Sequence, residues 1–199
     1  MEEVKLYGHP LSGHTHKVSL FLSILQLEYE FIIIDLKKQQ QKSTSFLSIN
    51  PLGQVPVLKH NSRIICDSNA ILIYLAKTFD KSDFWYPSST IKQAQVQRLL
   101  SIAAGPLVNG PATVRAIKVL NKPGNFDLAL ETTIQLYHFL EQSLAKQKWM
   151  VSNKPTIADV ALYSYIKLAE AATDIGQDFP NIQKWQTQVE AIPGFMAVT

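Results

Sequence analysis

Within Asn50–Ser68, NPLGQVPVLKHNSRIICDS, two residue pairs have types suited to holding an extended, negatively charged molecule. Pro56 has no N–H to give a sheet and biases Val55 towards an extended conformation. Val55 should therefore lie at a sheet margin with its own N–H and C=O partly free, and such an edge can pair with a peptide. Ser68 stands where an N-cap belongs, ahead of the apolar run Ala70 to Leu75, and the unpaired N–H groups of a helix start favour an anion such as a carboxylate. Taken singly, a Val-Pro pair is an edge and a serine at a helix start is a cap. Their succession predicts a site for a small acidic peptide. Elsewhere, Ser12 alone reads as another cap, and Cys66 as a small buried strand residue rather than a nucleophile. His9, His14 and His16 crowd one segment, but His14 and His16 point to different faces of a helix, so no metal is expected.

These residues need elements to position them. Val4 to Tyr7 alternates as a strand, Gly8 to Gly13 breaks it, and an apolar-periodic helix runs through Val18, Phe21, Leu22 and Leu25. Glu28 to Asp35 follows as a strand with a continuous buried run at Phe31 to Ile34. A polar stretch, Lys37 to Ser45, precedes a short helix through Phe46 and Leu47. The hairpin then leads into a helix from Ser68 to Phe79. The order is βαβ followed by ββα. Residues 80–90, DKSDFWYPSST, are polar and aperiodic and read as a linker between domains at 1–79 and 91–199. From Ile91 onwards only helical patterns appear: Ile91 to Ala104, a stretch interrupted by Pro106, Gly110 and Pro111, then Phe126 to Leu144, Thr156 to Ala172 and Ile182 to Ala191. Thr156 with Asp159 three residues on is a variant capping box.

The run QVPVL followed by DSNAILIYLA resembles the second half of the glutathione-binding domain of cytosolic glutathione S-transferases. GHPLSGHTHKV resembles the GHPxSxxTxxV pattern of a bacterial-type member of their serine (phi- and theta-like) class. The resemblance implies an α/β thioredoxin-like N-terminal domain and an all-α C-terminal domain, in the glutathione transferase architecture. It also implies a transferase of alkyl or aryl groups that uses glutathione as co-substrate, needs no cofactor and conjugates it to small hydrophobic electrophiles. On the same ground Ser12 is the catalytic residue, donating a hydrogen bond to the glutathione sulfur beside a helix N-terminus. Tyr7 ranks second, since other classes use a tyrosine at the end of the first strand. Gln41 and Lys42 fall where the glycine carboxylate is met, with Lys42 the stronger choice because it is a cation. Gln54, Val55 (beside a cis proline in the family), Asp67 and Ser68 complete the glutathione set, with Asp67 in place of the more frequent glutamate. Leu11, Pro106, Leu107, Pro111 and Val114 are expected to wall an electrophile pocket. Thr156 and Asp159 carry over as scaffold, and a homodimer is implied.

Composition narrows the alternatives. A net charge of +3, evenly spread, is too mild to argue for nucleic acid. With 1 cysteine there is no internal disulfide and no CxxC pair. The charged start MEEVKLYGHP and the lack of a membrane-length apolar run point to a cytoplasmic protein without a membrane partner. Two rival functions share the fold: a non-catalytic glutathione-binding or interaction protein, and a glutathione-dependent reductase or isomerase. Retention of Ser12, Lys42, Asp67 and Ser68 opposes the first. The absence of a cysteine at the start of the first helix opposes the second.

Overall fold

A computed structural model describes residues 3–198, so the outermost ends of the two expected domains, residues 1, 2 and 199, lie outside the described residues. The alternation at the start becomes β1, Val4–Gly8, and the glycine break leads into α1, Gly13–Ile24. Then come β2, Glu30–Ile33, the short helix α2, Thr44–Leu47, and the hairpin of β3, Val57–His60, and β4, Arg63–Cys66. The sheet has the order β2-β1-β3-β4, with β1 and β2 parallel and the other pairs antiparallel. α1 makes the crossover between the parallel strands. Together with α3, Ser68–Phe79, it covers the sheet face that carries Leu6 and Leu58. α2 covers the other face, where Phe46 packs with Ile34 and Val57.

Two expectations for this half need correction. The strand from Glu28 to Asp35 is shorter, and its Phe31–Ile34 run is not continuously buried: Ile33 is 60% exposed, whereas Ile34 is 8% exposed. β2 is an edge strand with one neighbour, so its side chains reach past the helices that cover β1 and β3. Ser68 is likewise not the cap of α3. Asp67 is, with its Oδ1 accepting from Asn69 N at 2.8 Å and Ala70 N at 3.0 Å, and Ser68 is the first helical residue. An aspartate one position earlier outcompetes the serine because its carboxylate accepts two N–H groups at once.

The rest of the chain is helical: α4, Thr90–Ala104, α5, Thr113–Lys118, α6, Phe126–Leu144, α7, Ile157–Ala172, and α8, Pro180–Glu190. The Gly110-Pro111 interruption appears as a π-helical turn, Val108–Ala112, between α4 and α5. A Cβ on Gly110 would stand 2.9 Å from Thr133 N of α6, so glycine is what lets this turn approach α6 closely. The Thr113 hydroxyl donates to Val108 O at 2.8 Å and satisfies a carbonyl within the turn.

α7 is the central post. It is buried on nearly every side from Ile157 to Ala169 and packs against α1, α3, α4 and α5. A single apolar cluster thereby runs from Leu6 and Phe21 through Leu72 and Ala103 to Tyr163 and Trp185. Residues 80–90 are also tied down. Trp85 packs edge-on against Phe21 at 5.4 Å, takes Asp80 Oδ2 on its N–H at 2.7 Å, and offers its carbonyl to Ile157 N at 2.9 Å.

Candidate functional site

α1 begins at Ser12, whose extended backbone (φ −88°, ψ 115°) turns the chain into the helix while its Oγ accepts from Thr15 N at 3.3 Å. Ser12 keeps its own hydroxyl proton. Across from it, the Val55-Pro56 bond is cis, and the main chain of Val55 makes no hydrogen bond among the described residues. Asn50 shapes this loop: its Nδ2 donates to Gln54 O at 2.7 Å and its Oδ1 accepts from Leu52 N at 3.2 Å.

The start of α3 closes the third side. Asp67 sits at φ 71°, an unusual angle for an aspartate, and caps the helix through one oxygen. Ser68 is buried and its Oγ lies 3.3 Å from His14 Nδ1, which links the starts of α3 and α1. Burial, with a smaller contribution from the charge of Lys17, pushes the His14 imidazole down to about 4, so it is neutral near pH 7. Behind this junction the fully buried Lys17 donates to Asn69 Oδ1 at 3.1 Å. Burial lowers its ammonium to about 8, against a smaller opposing pull from Asp67.

Ser12, His14, Gln41, Gln54, Val55, Asp67 and Ser68 thus line one cavity of about 600 Å³, together with Asn50, Gly53 and Cys66. Gln41 Oε1 is buried without a hydrogen-bond partner. A polar atom left so at a cavity wall is suited to a ligand donor. Lys42 is not brought in. It lies at the rim with its Nζ donating to Leu52 O at 3.1 Å, which leaves Gln41 as the member of that pair that lines the cavity. Cys66 also lines the cavity and is half-buried rather than buried. Its Sγ is 3.5 Å from Ile49 O, and burial, followed by the charge of Asp67, raises its thiol above the ordinary range. A thiol so placed is a poor nucleophile.

Tyr7 faces the other way, into a separate groove between β2 and α2 with Phe46 and Ile49. The five residues expected to wall an electrophile pocket are not assembled. Leu107 and Val114 are fully buried and Pro111 is buried, because the π-helical turn directs that stretch into the core against α6 and α7. Pro106 lines grooves with Thr132 of α6 rather than the Ser12 cavity. Leu11, next to Ser12, is 44% exposed and is the one that offers apolar surface beside it. His16 is occupied: its Nδ1 lies 2.8 Å from Ser164 Oγ and its Nε2 2.9 Å from Met196 O.

Sequence reasoning missed what α5 and α7 contribute to the start of α1. The buried Arg115 donates from Nη1 to Leu11 O at 2.8 Å, and Tyr165 lies against Gly13 and, edge-on, against His14. Nothing in their local sequence marks either residue, since a tyrosine in an apolar helix reads as core.

Residues 2–77 match the family model described as "Glutathione S-transferase, N-terminal domain" and residues 122–193 the one described as "Glutathione S-transferase, C-terminal domain". The chain belongs to the glutathione S-transferase family. Among curated relatives, "Glutathione S-transferase T1" of Arabidopsis thaliana is 30% identical over 81% of this chain and 71% of its own length. Human "Glutathione S-transferase theta-2" is 29% identical over 96% and 82%. Among solved structures, a glutathione transferase homologue from a Drosophila species, mojavensis, with bound glutathione, is 30% identical with a TM-score of 0.87, covering 97% of this chain and 90% of that one. The theta-like relatives agree with the class suggested by the Ser12 segment. The glutathione S-transferase fold is present in both halves, the four-stranded sheet with its helices and the all-helical remainder.

Proposed function

We propose that this glutathione S-transferase binds glutathione in the cavity between Ser12, Val55 and Asp67, ionises its thiol there, and adds the sulfur to small hydrophobic electrophiles, a detoxifying conjugation. The observation that carries the proposal is the convergence of three different donor and acceptor types on one cavity of peptide size. The Val55 main chain can pair with the cysteinyl unit, Asp67 can meet an ammonium, and the Gln41 and Gln54 amides, with Ser68 Oγ, can meet carboxylates. The Ser12 hydroxyl at the N-terminus of α1 is then the group for the sulfur.

The magnitudes are consistent with such a role. A free thiol with a pKa of about 8.5 is only a few per cent ionised at neutral pH, and lowering it by roughly two units corresponds to about 2.7 kcal/mol. One charge-assisted hydrogen bond supplies on the order of 1.5–3 kcal/mol, and a helix N-terminus about 0.3–1 kcal/mol more. Ser12→Ala should therefore raise the pKa of enzyme-bound glutathione towards its free value. It should also lower conjugation rates by about one to two orders of magnitude while leaving the affinity for an S-alkyl glutathione nearly unchanged. Thiolate absorbance titrated against pH in both proteins is the test, and superimposable curves would remove Ser12 from the reaction.

The same reading includes a cytoplasmic homodimer. Among the described residues no helix is long and apolar enough to cross a membrane. Ile91 at the start of α4 is 68% exposed and Ile64 on the outer strand β4 is 38% exposed, apolar surface that a second copy can cover. A dimer joined through α3 and α4 should bury more than ~1,000 Å² in total. Sedimentation at micromolar concentration giving only a 22.3 kDa species would exclude it.

A further inference from the structure

Tyr165 approaches the start of α1 more closely than any side chain but hydrogen at position 13 permits. A Cβ on Gly13 would stand 2.7 Å from both Cε1 and Cζ of the tyrosine ring. The ring is 9% exposed and its centroid lies 4.9 Å from that of His14. Its hydroxyl lies within hydrogen-bonding range of the Ser12 side chain and of the Gly13 and His14 N–H groups. Arg115, 5% exposed, holds the preceding carbonyl, Leu11 O, at 2.8 Å and adds a positive charge beside the phenol. Two helices of the helical half therefore fix the segment that presents Ser12.

Counting lone pairs gives this contact a direction. A serine hydroxyl has one proton and two acceptor sites, and the Thr15 N–H at 3.3 Å occupies one of the sites of Ser12 Oγ. The Tyr165 oxygen faces two N–H donors, so its own proton has Ser12 Oγ as its acceptor at this helix start. Burial keeps that phenol protonated by raising it above its ordinary range. We propose that Tyr165 is a positioning residue for Ser12: its hydroxyl donates to Ser12 Oγ, fills the second acceptor site, and leaves the serine proton no direction but the cavity and the glutathione sulfur. This rests on the reading that the sulfur binds at Ser12. No bond is made or broken by Tyr165, and it touches neither glutathione nor electrophile.

The test is a double-mutant cycle of Tyr165→Phe and Ser12→Ala, read as the pH profile of kcat/KM for conjugation of 1-chloro-2,4-dinitrobenzene and as the thiolate titration of bound glutathione. Phenylalanine keeps the ring against Gly13 and removes only the donor. Tyr165→Phe should raise the pKa of the bound thiol by about half to one unit, which is about a three- to tenfold loss of kcat/KM below that pKa and none well above it. In the Ser12→Ala background the same change should do nothing. If Ser12→Ala raises the thiol pKa and Tyr165→Phe does not, the inference fails and the reading of Ser12 stands. An equal effect of Tyr165→Phe in both backgrounds also overturns it, since the phenol would then act without the serine. If Ser12→Ala leaves the titration unmoved, both fail together.

Discussion

The starts of α3 and α7 are built from the same chemistry and put to different uses. In α7 the carboxylate of Asp159 is fully buried and all four of its acceptor positions are used: Oδ1 takes Met150 N at 3.0 Å and Trp185 Nε1 at 2.9 Å, and Oδ2 takes Thr156 N at 2.8 Å and Thr156 Oγ1 at 3.1 Å. Burial raises this carboxyl and those hydrogen bonds pull it back down. In α3 the exposed Asp67 commits only Oδ1, to Asn69 N and Ala70 N. Its second oxygen makes no hydrogen bond to the described residues and stands at a cavity. A saturated cap is scaffold; a half-used cap on a cavity is a site.

The sharpest way to break that distinction is to remove each carboxylate. Asp159→Ala leaves four donors without their acceptor in a dry core, so the chain should lose on the order of 3–5 kcal/mol of stability. Urea unfolding followed by tryptophan fluorescence measures it, and a loss below about 1 kcal/mol would mean the network is not the scaffold described.

Asp67→Asn is the complementary change, since asparagine caps a helix as well as aspartate but carries no charge. It should weaken glutathione binding by about 1–3 kcal/mol with stability nearly unchanged, whereas Asp67→Ala should add about 1 kcal/mol of lost stability. Calorimetry showing equal affinity for wild type and Asp67→Asn would place Asp67 with Asp159 among the purely structural caps.

A smaller effect comes from Lys17, which has no counterpart behind α7. The native protein releases its proton near pH 8, while the unfolded chain holds it to the ordinary lysine value of 10.5. Between these limits the unfolded state binds more protons, so native stability rises with pH across the window, and below pH 8 the buried charge is a cost. Lys17→Met should therefore stabilise the protein at neutral pH by about 1–2 kcal/mol and flatten its stability between pH 8 and 10.5 relative to wild type. Parallel curves for the two proteins across that window would show that Lys17 is solvated in the native state.

How far the sequence carried the fold and site follows from the same contrast. Local signals were legible because their physics is local: the periodicity of Phe126–Leu144 gave α6 to the residue, Thr156 with Asp159 gave the capping box, and Asn61 in the hairpin turn adopts the left-handed conformation its type favours. Ser12, Val55, Asp67 and Ser68 were found through motif order. What failed was non-local. The exposure of Ile33 depends on β2 having no outer neighbour, and the burial of Leu107 and Val114 on which way the π-helical turn faces. Tyr165 is separated from Gly13 by most of the chain, and no spacing rule connects them.

The close approach at Gly13 has a further consequence for how this molecule can be inherited or recombined. The loop that presents Ser12 belongs to the first half of the chain, yet Arg115 and Tyr165, which hold its carbonyl and its helix start, belong to the second. Gly13 and Tyr165 are thus one heritable unit split across the chain. A hybrid that takes residues 3–79 from this protein and its helices from a relative keeps the fold's outline but changes the serine's surroundings. Any larger residue at position 13 requires a smaller one at position 165 in the same step.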